Sequence, residues 1–169
     1  MPSGEKETVF SSKMKYTGIF LFRDFYKFCY DWLIDEPQFE IAETKYVEKL
    51  AGDSKNIDIV WEGKKKVTDY FQFKIKLVYR IVGLKNVEIV QEGVKTQTNQ
   101  GDVELKLKGD LVRDYEGKFE RNALQKFLRA IYEKWVIPSR IDQFENKIIG
   151  TCDEFLGQAK AWLDLEGKR

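Results

Sequence analysis

Residues 67–82 read VTDYFQFKIKLVYRIV, and every odd position from Phe71 to Ile81 in this stretch is apolar. Polar or charged side chains stand at most of the positions between them. A period of two is typical of a long strand with one buried face and one wet face. The stretch therefore predicts the central strand of an antiparallel sheet, and the other elements are assigned outward from it.

The chain beyond this strand predicts a return strand in a defined register. A turn at residues 83–85 would place Arg80 opposite Glu88 on the wet face and Tyr79 opposite Ile89 on the dry face. Opposite charges that face each other across two strands stabilise a sheet by about 0.2–1 kcal/mol per pair. We therefore expect this register.

Two glycines farther along predict the next irregularities. The apolar positions change phase between Ile89 and Val94, so we expect a bulge at Gly93. Gln100–Gly101 has the composition of a two-residue hairpin turn with glycine second. The strand that follows has a clear inner face, made of Val103, Leu105, Leu107 and Leu111.

The segments before the central strand predict a first strand and a hairpin. Apolar residues at even positions indicate a strand within residues 9–22, and the polar residues 1–8 are expected to be frayed. Residues 39–50 and 56–62 form a hairpin in this interpretation, with turn chemistry at 51–55. The sequence thus predicts an antiparallel sheet of about six strands.

Amphipathic helices precede and follow these strands. The first covers residues 23–35 and ends before Pro37. Its apolar arc is wider than one packing face needs. The helix therefore either packs on two sides or has an aromatic flank that contacts a lipid surface or a partner. The second covers residues 118–137 and is interrupted by Pro138. The last is an appended helix within 139–169, and its apolar stripe consists of Ile141, Phe144, Ile148, Ile149, Cys152, Phe155, Leu156, Ala159, Trp162 and Leu163.

Composition indicates one globular domain and excludes several functions. With 169 residues, 43% of them hydrophobic, the chain can bury a core, so we expect a single domain over residues 1–169. A formal net charge of +1 gives no reason to expect a nucleic acid partner. No apolar run approaches the roughly 20 residues of a transmembrane segment. No secretory signal pattern is recognised, so a cytoplasmic location is expected.

The side chains offer no recognisable catalytic or metal site. Histidine is absent, which removes the commonest general base and the usual zinc ligand. The cysteines, Cys29 and Cys152, both lie on apolar helix faces and are expected to be buried free thiols. We therefore expect no cofactor and no metal. An enzyme would have to use a carboxylate such as Asp69, or Tyr79, as acid or base, and a non-enzymatic role is favoured.

The order of strand, helix, five strands and C-terminal helix resembles the helix-grip fold of the START and polyketide-cyclase (SRPBCC) superfamily. The resemblance lies in topology and size over residues 9–137. It implies an α+β protein with a curved antiparallel sheet packed on the helix at 118–137, with the helix after Pro138 as an addition. It also implies a cavity for a hydrophobic or amphipathic small molecule, lined by Phe71, Phe73, Ile75, Leu77, Tyr79, Leu105 and Leu107 from the sheet and by Phe127, Ile131 and Trp135 from the helix.

These inward residues also have a simpler interpretation, because the same side chains can fill a solid core. The leading hypothesis is a non-enzymatic binder of a hydrophobic small molecule or lipid. The alternative is an interaction module whose last helix pairs with another protein or with a second copy, as a homodimer through residues 139–165. A third hypothesis is peripheral membrane contact through the aromatic helix at 23–35.

Overall fold

The fold is α+β, with an open antiparallel sheet and helices that include a C-terminal one. The computed structural model describes residues 5–113, 122–132, 134 and 138–168. The described strands are β1 (Glu5–Ile19), β2 (Glu40–Ala51), β3 (Ser54–Lys66), β4 (Phe71–Gln91) and β5 (Val94–Arg113). The described helices are α1 (Phe22–Asp35), α2 (Ala123–Ile131) and α3 (Pro138–Gly167).

The order of the five described strands is β1-β5-β4-β3-β2, so β4 is the central strand, as predicted. Hairpins join β2 to β3, β3 to β4 and β4 to β5, while β1 pairs with the last strand. The sheet has five strands rather than about six because β4 is continuous over residues 71–91, where the sequence predicted two strands separated by a turn.

The alternation predicted for the central strand is confirmed. Its odd positions from Phe71 to Ile81 are at most 4% exposed, so one face of β4 is fully covered. Even positions in the same stretch are half-buried or exposed. The inner face continues onto β3 through Ile57, Ile59 and Trp61, and onto β5 through Val103, Leu105, Leu107 and Leu111.

Helix α1 ends at the predicted residue and packs on two sides. Its aromatic flank contacts α3: the Phe28 ring stacks on Trp162 with centroids 5.8 Å apart, and Trp32 lies 5.5 Å from Phe155. The wide apolar arc therefore packs on two parts of the same chain, the sheet and α3. Phe28 and Trp32 contact α3 rather than a lipid surface. Its buried residues are Phe25, Cys29 and Leu33.

The helix that packs on the inner face of the sheet is α3, whereas α2, the described helix within the segment at 118–137, exposes Phe127 and Ile131. Helix α3 contacts β1 and β5, and a glycine in β5 lets it approach closely, because a Cβ at Gly109 would lie 2.9 Å from the Cys152 Sγ. The helix expected as an appendage thus completes the core. Its buried residues are Ile148, Cys152, Phe155, Leu156, Ala159 and Leu163.

The turn and the bulge of the β4–β5 hairpin differ from the prediction. The hairpin turn is at Glu92–Gly93, with φ of 51° and 80°, the positive values that a type I′ turn requires. Gly83 and Leu84 together face the single residue Gly101, which makes a bulge. A Cβ at Gly101 would lie 3.1 Å from the Leu84 Cα, so glycine is needed opposite the bulge.

The predicted register of the central strand is wrong because the chain turns at Glu92–Gly93 and forms only a bulge at residues 83–84. Arg80 faces Glu104, and Tyr79 faces Leu105. The expected partners, Glu88 and Ile89, lie farther along β4 itself, because the chain does not reverse at residues 83–85.

The N-terminal boundaries of the sheet also extend beyond the prediction. Residues 5–8, expected to be frayed, belong to β1, and Glu5 pairs with Arg113 at the end of β5. Strand β3 continues to Lys66, and the turn follows at 67–70. Among the described helices, none combines the length and the apolar content needed to cross a bilayer.

Candidate functional site

The seven sheet residues predicted to line a cavity are brought together on the inner face. All of them are buried, and they belong to a single hydrophobic cluster with side chains from α1 and α3. Helix α3 supplies Phe155, and α1 supplies Phe25, whose ring lies 6.3 Å from that of Tyr79. The inner face of the sheet is thus largely filled by the chain's own side chains.

The two described helix residues of the predicted set, Phe127 and Ile131, do not join this cluster. Phe127 is 61% exposed and Ile131 is 39% exposed, so the side of α2 that was expected to face the sheet is turned to solvent. The buried residue of α2 is Arg129, whose Nε donates to the Tyr70 hydroxyl at 3.2 Å. The third predicted residue, Trp135, lies outside the described part of the chain.

Tyr79 is the one polar side chain of the predicted set, and it lies at the centre of the core. Its hydroxyl has no well-formed hydrogen bond with a described residue, although the Cys29 thiol lies close enough to interact with it, and its ring packs edge-on against Trp61 at 4.9 Å. Burial raises the pKa of Tyr79 well above its usual value, with the neighbouring Cys29 thiol as a second cause. Burial also raises the pKa of Cys29 to about 12. Both groups are therefore neutral and unsuited to acid–base chemistry near pH 7.

A polar cluster lies beside this centre, between α1 and the edge strand β2. The Tyr26 hydroxyl donates to Glu43 Oε1 at 2.7 Å, and Trp61 Nε1 donates to the same oxygen at 3.0 Å. Desolvation, and then the hydrogen bond to Glu43, raise the pKa of Tyr26 to about 12. The Glu43 carboxylate thus anchors two rings of the core, which is a structural role.

A cleft opens where α1 ends, between α3 and the strands β3 and β4. We call it the mouth cleft, and its volume is about 270 Å³. Phe73 is the predicted residue that reaches it. Its full lining consists of Trp32, Glu36, Pro37, Phe39, Lys65, Phe73, Lys147, Thr151 and Glu154.

The rim of the mouth cleft is fixed by backbone hydrogen bonds. The Glu36 N–H donates to the Trp32 carbonyl at 2.9 Å, and the Phe39 N–H donates to the Leu33 carbonyl at 3.0 Å. Between them Gln38 has a φ of 62°, which turns the chain from the helix into β2. The aromatic wall of the cleft is therefore held in place before any ligand arrives.

The charged residues of the mouth cleft are not neutralised locally. Within the described ranges, Lys65, Lys147, Glu36 and Glu154 form no ion pair with one another or with other residues. The cleft therefore combines apolar rings with unpaired charges of both signs. No sequence pattern indicated this set, because its members come from α1, the loop after it, two strands and α3.

The described residues hold no group of three or more Cys, Asp or Glu side chains that could bind a metal ion. The fold and the cleft together define an α+β protein with an aromatic surface cleft between sheet and helices. Neither a protein-family model, nor a curated protein, nor a solved structure matches this chain.

Proposed function

We propose that the protein binds an amphipathic small molecule in the mouth cleft, without catalysing a reaction. The observation that carries the proposal is the combination of a preformed aromatic wall with lysines that have no ion-pair partner among the described residues. Ligand sites combine apolar walls with a few placed polar groups, and the accessible lining of this cleft is more polar than apolar, which favours a ligand with a charged group and a small apolar part. The apolar part of the ligand would lie on the half-buried Trp32, with the buried rings of Phe39 and Phe73 behind it, and a charged group would meet Lys65 or Lys147.

The size of the cleft limits the ligand. A volume of about 270 Å³ is near the lower end of ligand pockets, which run from about 300 to 1,000 Å³. A small aromatic or short-chain acid fits this space, whereas a whole lipid does not. The resemblance to the START and polyketide-cyclase superfamily, and a cytoplasmic location, stay predictions within this proposal. The helix on the inner face supports the resemblance, and the smaller number of strands weighs against it.

The alternative, an interaction module that works through the last helix, has less support. The apolar stripe of α3 packs on the sheet of the same chain, so its buried residues are not available to a second copy or to another protein. The helix at 23–35 likewise packs Phe28 and Trp32 on α3, which leaves less aromatic surface for the membrane contact that the third hypothesis requires.

The test uses anilinonaphthalene sulfonate, a probe with apolar rings and one anionic group. Thr151→Trp should fill the cleft and abolish probe fluorescence, whereas Asn146→Trp, at an exposed position of the same helix, should leave it unchanged. Lys65→Gln should weaken probe binding by about fivefold, the loss of one charge-assisted hydrogen bond. Its matched control is Lys64→Gln, whose side chain reaches Glu40 rather than the cleft.

Two results would count against the proposal. If Thr151→Trp binds the probe as the wild type does, the probe binds outside the mouth cleft. If Lys65→Gln and Lys64→Gln lose the same affinity for the probe, the loss comes from the change in net charge and not from a contact in the cleft.

A further inference from the structure

The outer face of the sheet, opposite the helices, carries a concentration of lysines. β4 directs Lys74, Lys76, Val78 and Arg80 to this face, and all of these residues are half-buried or exposed. Helix α3 contacts β1 and β5, and α1 contacts β2, while the core residues they meet all point to the inner face. Around the middle of β4 the outer face is therefore open to solvent or to a ligand, whereas Asp110 and Val112 are buried on the same face toward the end of β5.

Four lysines lie next to one another at the centre of this face, and we call them the lysine cluster: Lys13, Lys76, Lys106 and Lys108. In the register of the sheet Lys13 is directly opposite Lys106, and Lys76 is directly opposite Lys108. Lys106 and Lys108 are two residues apart on β5 and so share a face. Directly opposed side chains have Cβ atoms only about 5 Å apart. Each lysine therefore has another lysine as a close neighbour.

This arrangement lacks the compensation found elsewhere on the sheet. Within the described ranges, Lys13, Lys76 and Lys108 form no ion pair. Lys106 reaches Glu104 at 3.5 Å, but the same carboxylate also meets Lys15 at 3.8 Å. Like charges directly opposed across strands destabilise a sheet. An anion that binds the cluster would remove this repulsion.

The cluster lines an open cleft with a volume of about 510 Å³. Ser11 on β1 is directly opposite Lys108 and adds a hydroxyl to a floor that is largely apolar, since the lysines line it with their stems while their ammonium groups extend to solvent. Lysine binds phosphate as a point charge. One phosphate group carries about −1.5 to −2 charges and three acceptor oxygens. Two or three adjacent phosphates would thus match the charge of four lysines.

Acidic residues around the cluster limit the shape of the anion. On β5, Glu104 precedes Lys106 and Asp110 follows Lys108, and Glu62 on β3 is directly opposite Lys76. A long polyanion that crossed the face would meet these carboxylates beyond the cluster. A compact anion with several charges would not.

We propose that the lysine cluster binds a small molecule that carries two or more adjacent phosphate groups. The site lies on the opposite side of the sheet from the mouth cleft, and it shares no residue with it. The inference is therefore independent of the function proposed above.

Isothermal titration calorimetry with tripolyphosphate tests the site. The wild-type chain should bind one tripolyphosphate, and the double variant Lys76→Gln/Lys108→Gln should bind it about tenfold or more weakly, because two charge-assisted contacts are lost. The matched control is Lys49→Gln/Lys85→Gln, which makes the same change in net charge at exposed positions outside the cleft and should stay within about twofold of wild type. Raising the salt concentration should weaken binding by the wild type, since exposed charges are screened.

Thermal unfolding gives a second readout. Tripolyphosphate should raise the melting temperature of the wild type and of the control, but not of the cluster variant, because a ligand stabilises only the state that binds it. No binding by the wild type, or equal weakening in both double variants, would overturn the proposal. Orthophosphate that binds as tightly as tripolyphosphate would overturn the requirement for adjacent phosphates. A single-stranded oligonucleotide that binds more tightly than tripolyphosphate would show that the face takes an extended polyanion instead.

Discussion

At the residue scale, Tyr79 places a hydroxyl group in the centre of the apolar core, where its side chain is fully buried. Its neighbours Trp61 and Cys29 come from β3 and α1, so no local pattern could have revealed that its hydroxyl lacks a well-formed hydrogen bond in the described structure. Partners of this kind depend on the final packing of distant elements, which periodicity does not encode.

The buried Tyr79 hydroxyl leads to a stability prediction. A buried polar group without a partner costs about 1–3 kcal/mol, so Tyr79→Phe should stabilise the protein, by about 1 kcal/mol in urea unfolding. Tyr26→Phe is the matched control, because the Tyr26 hydroxyl donates to Glu43 at 2.7 Å. It should destabilise the protein by about 1 kcal/mol. If Tyr79→Phe is destabilising as well, the hydroxyl has an effective partner, with the Cys29 thiol as the candidate.

At the element scale, strong periodicity predicted strands and helices well, and glycines were the source of error. The alternation of β4 and the extent of α1 are as expected. Gly83, Gly93 and Gly101 all lie between apolar runs, and each is compatible with a turn or a bulge. The glycine at which the chain reverses is the one that gives a register in which the apolar faces of both β4 and β5 are buried. That is a property of the paired strands rather than of one segment.

Gly109 has a role that sequence patterns did not reveal, since it lets α3 approach β5. Gly109→Ala should destabilise the protein by about 1–3 kcal/mol through overpacking against the Cys152 Sγ, which would lie 2.9 Å from the new Cβ. Removing the sulfur with Cys152→Ala should relieve the clash. The double variant should therefore be more stable than the sum of the single effects by about 1 kcal/mol or more in chemical unfolding.

Gly157→Ala provides the control for this cycle. Gly157 is on the exposed side of α3, and a Cβ there would meet nothing within 4 Å. The substitution should stabilise the helix by about 0.5–1 kcal/mol, because alanine has the higher helix propensity. Additive effects of Gly109→Ala and Cys152→Ala would mean that the glycine is not required by the helix contact.

At the scale of the whole molecule, two amphipathic segments compete for one inner face. The sequence predicted that residues 118–137 would cover the sheet. Within that segment, the described helix α2 does have an apolar face. Helix α3 is 30 residues long and inserts six buried side chains, whereas the described part of α2 has 9 residues and exposes Phe127. The longer stripe buries more apolar surface, so it occupies the sheet. Periodicity shows that a face is apolar but does not show which surface covers it.

The junction between α3 and the sheet makes global stability depend on pH. Glu145 on α3 lies near Glu7 of β1, Arg113 of β5 and Asp142 of its own helix. The pKa of Glu145 is raised above 4.5, mainly by desolvation. A hydrogen bond with Glu7 and the repulsion from its charge raise it further, whereas Arg113 lowers it. The folded state therefore binds a proton more tightly at Glu145 than the unfolded chain does. Stability from this group is highest at low pH and falls as the pH rises through the raised pKa.

Glu145→Gln should consequently stabilise the protein at pH 7 and lose its advantage below the unfolded pKa of Glu145. The expected rise in melting temperature at pH 7 is about 1–3 °C, since 1 kcal/mol corresponds to about 2–4 °C for a chain of this size. Glu48→Gln is the control with the opposite sign, because the hydrogen bond from Tyr46 lowers the pKa of Glu48. Its effect at pH 7 should be a small destabilisation, weakened by solvent exposure, that also disappears in acid. Melting curves of both variants between pH 4 and pH 8 test the assignment. A lower stability of Glu145→Gln at neutral pH would contradict it, because the contact with Arg113 would then outweigh burial and the repulsion from Glu7.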